Sequence, residues 1–128
     1  MAKVVFSGLD SRTAAQLTGL LAGERHEIRR KRSGVSLSEL QGANVVFVGG
    51  EPSHYLSLLR RVRAVAPELC LVVIARFSDT AEWLESLDAG ATDYWSSVLD
   101  RKLVLSLIAT AVARRGSAEA KRGPADGG

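Results

Sequence analysis

Residues 44–50 read Asn44-Val45-Val46-Phe47-Val48-Gly49-Gly50. Four consecutive β-branched or aromatic residues leave no polar face, so the run predicts a strand covered on both sides, as in a parallel sheet wrapped by helices. The glycine pair ends the strand. Pro52 then suits the first position of a helix that places Tyr55, Leu56, Leu59, Val62 and Val65 on one side.

The same strand-then-helix unit recurs in both directions. Upstream, residues 3–7 form a short apolar run ended by Gly8, and Asp10 or Ser11 can cap a helix carrying Ala14, Leu17, Leu20 and Leu21. Residues 26–32 are polar and rich in arginine, which suits an exposed edge strand guarded by its charges. Ser36 and Glu39 have capping-box spacing ahead of Leu40 and predict a short second helix.

Downstream, residues 71–75 predict another buried strand, with Ser78 or Asp79 capping a helix through Trp83, Leu84 and Leu87 that stops before Gly90. In that helix Leu84 and Leu87 are expected in the core and Trp83 is expected to point partly outward. A short strand follows at residues 92–95. Asp100 can cap a last helix whose Leu103, Val104, Leu107, Ile108, Ala111 and Val112 make an apolar stripe before Gly116. Five strands alternating with five helices imply an α/β fold of three layers, a doubly wound parallel sheet with right-handed crossovers.

At 128 residues there is room for one domain, with 46% hydrophobic and 24% charged residues, an ordinary globular balance. We assign residues 1–116 to the domain and 117–128, which are small, polar and glycine-rich, to a flexible tail or linker. No apolar run approaches the roughly 20 residues needed to cross a bilayer, and the N-terminus does not read as a signal peptide, so a cytoplasmic location without membrane association is expected. Cys70 is the only cysteine, which excludes an intrachain disulfide and predicts a buried thiol. The formal charge of +3 comes from 17 basic residues interspersed with 14 acidic ones. It is weak ground for a nucleic-acid partner.

Residues 87–95, Leu87-Asp88-Ala89-Gly90-Ala91-Thr92-Asp93-Tyr94-Trp95, resemble the signature of response-regulator receiver domains, in which the fourth helix ends at an Ala-Gly-Ala turn before an Asp-Tyr strand. The resemblance covers residues 3 to 115 and implies a flavodoxin-like (βα)5 fold with strand order 2-1-3-4-5. It also implies that ligands would meet the carboxyl ends of the first and third strands, where the order reverses.

Carried over position by position, the resemblance implies a site that has lost its chemistry. The acidic pair after the first strand matches Gly8 and Leu9, with Asp10 beside them, and the phosphoacceptor position matches Gly49. The hydroxyl position ending the fourth strand matches Ala75, and the lysine-proline pair after the fifth matches Ser97 and Val98. Tyr94 keeps the aromatic position. Phosphoryl transfer needs a carboxylate nucleophile, oxygen ligands for magnesium and a cation on the transferred oxygens. None of those groups remains in place, so we expect no enzyme activity, no cofactor and no metal. Asp10 and Glu51 lie near enough to be considered as substitutes, but a helix cap and a solvated loop position account for them.

The implied function is a non-phosphorylatable signalling module acting through protein contacts in a bacterial two-component-type pathway. The expected surface is the face of the fourth helix, fifth strand and fifth helix, with Trp83, Tyr94, Trp95, Arg101 and Lys102 as the partner-binding or homodimer residues. The alternative is a sensor of a small ligand or nucleotide in the glycine-lined crevice.

Other chemistry finds less support. Ser7-Gly8-Leu9-Asp10-Ser11 resembles the pyrophosphate loop of ATP pyrophosphatases but is one glycine short of it. His26 and His54 stand apart, without cysteine or carboxylate at ligand spacing. Arg29, Arg30, Lys31 and Arg32, with Arg60, Arg61 and Arg63, could contact phosphates, yet no helix-turn-helix accompanies them, and binding of nucleic acid by this domain alone is not expected.

Overall fold

The computed structural model describes residues 2–23, 25–31, 36–96 and 98–126, with only the backbone described at 41 and from 115 onward. Strands β1 (Ala2–Ser7), β2 (His26–Lys31), β3 (Val45–Val48), β4 (Cys70–Ala75) and β5 (Asp93–Ser96) alternate with helices α1 (Ser11–Leu20), α2 (Leu37–Gln41), α3 (Pro52–Val65), α4 (Thr80–Asp88) and α5 (Arg101–Asp126). The strands form one sheet in the order 2-1-3-4-5, and every neighbouring pair is parallel. The fold expected from the alternation is the fold observed.

Because side chains alternate across a strand, each central strand feeds two cores. Val4, Phe6, Val45, Phe47, Val72 and Ile74 pack with Leu17, Leu21, Val104 and Ile108 of α1 and α5. Val5, Val46, Val48, Leu71 and Val73 pack with Leu40, Tyr55, Leu59 and Val62 of α2 and α3. Phe47 lies at the centre of the first layer, with ring centroids 6.0 Å from both Phe6 and Trp95. Cys70 is buried, and the apolar surroundings push its thiol pKa up.

The helix starts follow local chemistry. Asp10 Oδ1 accepts from Thr13 N at 2.7 Å, Ser36 Oγ from Glu39 N at 3.3 Å, and Asp79 Oδ1, rather than Ser78, from Glu82 N at 3.0 Å. Asp100 Oδ1 accepts from Lys102 N at 2.8 Å. Each such cap satisfies one of the unpaired N–H groups of a first turn and contributes about 1 kcal/mol.

Two expectations are corrected. On α4 the core positions go to Ser86 and Ala89, while Leu84 and Leu87 are exposed along with Trp83. The reason is angular: Ser86 and Ala89 lie on one side of the helix with Glu82, and Trp83, Leu87 and Leu84 span the adjoining 100°. The last helix does not stop before Gly116 but runs to Asp126. Ala118, Glu119, Ala120, Lys121 and Arg122 are strong helix formers that carry the helix past Gly116, which costs only about 1 kcal/mol against them, while Gly123 and Pro124 in its last residues have no such local support.

Arg63 holds a junction that the sequence did not disclose. Its Nε and Nη2 donate to Gly90 O at 2.9 and 2.6 Å, and its Nη1 donates to the carbonyls of Ala66, Pro67 and Leu69. One guanidinium thus ties the end of α3 to the turn after α4. This removes Arg63 from the arginines available for phosphate. Gly90, at φ +112°, packs under it, and an added Cβ would meet Arg63 Cγ at 2.9 Å.

Candidate functional site

The carboxyl ends of β1, β3 and β4 surround a cleft of about 440 Å³, lined by Gly8, Leu9, Asp10, Gly49, Gly50, Glu51, Ala75 and Arg76 among others. This is the place expected from the strand order. Its floor is tightly closed.

Gly8 leaves β1 at φ +72°, and its backbone runs so close to β3 that an added Cβ would lie 2.6 Å from Gly49 O. No side chain fits there. Leu9, next in the chain, is turned inward and joins the core beneath the cleft. Its Cδ2 lies 2.9 Å from where a Cβ on Gly49 would stand, with Ile74 O at 3.2 Å on the other side. Position 49, at the end of β3, therefore carries no carboxylate, and Leu9 crowds the space a side chain there would enter.

Asp10 points away from this floor. Its carboxylate caps α1 and lies 4.0 Å from Arg76 Nε. Hydrogen bonds from Thr13 hold its pKa below the usual carboxylate range, with smaller help from Arg76 and Arg12. Glu51 is exposed at the start of α3 and makes no side-chain cap bond. Ala75 ends β4 beside Ser96 and has no hydroxyl to offer. Ser97 falls outside the described residues. A magnesium ion, which the receiver resemblance implies, wants several carboxylate oxygens in an octahedral shell. Gly8, Leu9 and Gly49 supply none, and the donors present do not fit it.

The far wall of the cleft carries a pair that sequence reasoning missed. Tyr55 Oη donates to Glu82 Oε1 at 3.1 Å, and burial, aided by that carboxylate, pushes the Tyr55 pKa up to about 12. Their separation of 27 residues hides the pairing in the sequence. Tyr94 is half-buried against the same layer, with Oη 3.5 Å from Phe77 O, a long contact.

The expected partner-binding residues do not share one surface. Tyr94 and Trp95 are consecutive in β5 and so face opposite sides of the sheet. Trp95 is 8% exposed, packs on Phe47 and donates from Nε1 to Asp93 Oδ2 at 2.8 Å. Trp95 belongs to the core. Trp83 is 43% exposed on α4, and Arg101 and Lys102 are exposed on the first turn of α5. Phe77 and Val98, which the sequence did not single out as surface residues, are 82% and 88% exposed on the loops beside the cleft.

No family model matches the chain, and no curated protein matches it by sequence. Solved structures do. A response regulator receiver domain protein from Clostridium thermocellum is similar with a TM-score of 0.73 at 16% identity, over 92% of this chain and 99% of that one. A CheY-like receiver domain protein from Methanospirillum hungatei JF-1 gives a TM-score of 0.74 at 15% identity, over 92% and 98% of the two chains. A CheY-like protein from Pseudomonas aeruginosa PAO1 gives 0.74 at 20% identity, over 87% and 99%. What this chain shares with them, across nearly their whole length, is the fold of response-regulator receiver domains.

Proposed function

We propose that this chain is a receiver-fold signalling module that does not accept a phosphoryl group and works through protein contacts in a bacterial two-component-type pathway. The observation that carries the reading is the packing at Gly49, where Leu9 occupies the room a nucleophilic side chain would need. On this reading residues 1–116 are the signalling domain, 117–128 form a connector, and the protein acts in the cytoplasm. No helix among the described residues is long and apolar enough to cross a membrane. The contact surface is the α4–β5–α5 face, with Trp83, Leu84, Leu87, Arg101 and Lys102 exposed on it and Tyr94 beneath.

Incubation with magnesium and acetyl phosphate, followed by intact-mass measurement, is expected to show no added phosphoryl group. An acid-labile mass gain of one phosphoryl on any carboxylate would sink the reading.

A second reading, a sensor of a small ligand, draws on the cleft itself. Among the described residues, the carboxylates Asp10, Glu51 and Glu82 line it with the cation Arg76, which pairs with Asp10, a balance that suits an amine or another cation better than a nucleotide. Thermal melts with small amines and with nucleotides separate the two readings, since a ligand that binds only the folded state raises the midpoint.

A further inference from the structure

The net charge of the chain is gathered at one edge of the sheet. Residues 24–32 hold five basic and two acidic side chains, whereas the rest of the chain holds twelve of each. Within this segment lies β2, the six-residue edge strand beside β1. Lys31 O accepts from Gly8 N at 3.0 Å, which fixes the direction of the ladder. Alternate residues of a parallel strand turn both backbone groups to the same neighbour, so residues 27, 29 and 31 serve β1. His26, Ile28 and Arg30 turn their N–H and C=O groups outward, and among the described residues no loop or turn bonds to them.

The side chains of this edge are engaged on both faces without losing the basic excess. Ile28 packs on the core shared by α1 and α5, and Arg30 Nη2 donates to Ser11 Oγ at 3.2 Å. On the other face Glu27 lies 3.4 Å from Arg29 and 4.0 Å from Lys3, and Lys31 lies 3.9 Å from Glu39. Lys3 and Glu39 offset one another, so the strand with its contacts keeps its surplus of positive charge. Arg25, Arg29 and Arg30 are exposed.

We propose that the β2 edge takes up an extended acidic segment of a partner protein as an added strand. The open backbone groups of His26, Ile28 and Arg30 supply the ladder, and the surrounding basic side chains select a strand rich in aspartate or glutamate. A second copy of this chain is disfavoured there, because its own β2 brings the same positive surplus, the usual way a charged edge avoids pairing with itself. A nucleic acid would match the charge but lacks amide donors and acceptors at strand spacing for the three open residues. Because β2 lies at the opposite end of the sheet from β5, the inference stands apart from the α4–β5–α5 face and from the phosphorylation reading.

The probe is a capped peptide of alternating glutamate and valine, about eight residues long, as a strand requires. A lysine-valine peptide of the same design is the control. Binding of the glutamate peptide is expected to slow amide hydrogen exchange about tenfold at His26, Ile28 and Arg30, and to leave Glu27, Arg29 and Lys31, already bonded to β1, unchanged. The lysine peptide should not bind. Arg25→Glu combined with Arg29→Glu should weaken the glutamate peptide about tenfold, the effect of losing two exposed ion pairs. The exchange pattern needs no variant, so the test holds even where the charge reversal unsettles the fold.

A glutamate peptide that fails to bind overturns the inference, as does a lysine peptide that binds equally well or a charge-reversed, folded chain with undiminished affinity. Slowing spread evenly along β2 overturns it too, since an added strand protects alternate amides only. Oligothymidylate run in parallel and binding more tightly than the peptide would assign the edge to nucleic acid instead. None of these results touches the phosphorylation reading, which fails only if acetyl phosphate adds a phosphoryl group.

Discussion

Adding a methyl group at Gly49 tests the closed crevice directly. In Gly49→Ala the new Cβ would stand 2.9 Å from Leu9 Cδ2 and 3.2 Å from Ile74 O, both tighter than ordinary van der Waals contact. The carbonyl belongs to a central strand, and Leu9 is 6% exposed, so neither can retreat into solvent. Overpacking of this kind costs about 1–3 kcal/mol. For a chain of 128 residues that corresponds to a fall of roughly 4 °C in melting temperature per kcal/mol, or about 4–12 °C. Leu9→Val removes the offending Cδ2 at a cost of about 1 kcal/mol of its own. In the Leu9→Val background Gly49→Ala should cost about half as much, because only the Ile74 carbonyl still crowds it. Urea denaturation of the four proteins closes the cycle. A coupling within about 0.3 kcal/mol of zero, the scatter of independent sites, would refute the claim that Leu9 fills the space beside Gly49.

Three further outcomes follow from the same packing. Arg63→Lys should lower stability by about 2 kcal/mol or more in chemical denaturation, because an ammonium cannot reach four carbonyls from both sides of the α3–α4 junction, and buried acceptors left unpaired are costly. The depressed pKa of Asp10 means that its contribution is present above the unfolded carboxylate value of about 4 and is lost as pH falls through the lower folded value. Asp10→Asn, which keeps the cap, should therefore differ from wild type at neutral pH and converge with it in acid, as read from denaturation midpoints. Tyr55 is raised, so its contribution is full below about pH 10 and lost as pH rises through about 12. Tyr55→Phe should flatten that alkaline loss, and an unchanged alkaline limb would count against the Tyr55–Glu82 pair.

The packing also determines what other side chains would meet between β1 and β3. An aspartate at position 49 would run into Leu9 Cδ2 and the Ile74 carbonyl, and Gly8 has no room for a side chain beside Gly49 O. Gly8 also holds a left-handed φ that disfavours any other residue.

The order of strands and helices was legible in the sequence because it is written in local patterns: apolar runs for buried strands, Asp10, Ser36 and Asp100 as caps, and Pro52 and Gly90 at helix ends. The absence of a nucleophile at Gly49 was legible for the same reason, since a residue type is a local fact. Tertiary structure decided the rest. Whether Leu84 or Ser86 faces the core depends on how α4 rotates against β5, and whether Arg63 meets solvent or four carbonyls depends on where the turn at Gly90 comes to rest. Leu9 became a plug only when β1 and β3 were laid side by side, because the distance between residues 9 and 49 is set by the sheet and by nothing along the chain.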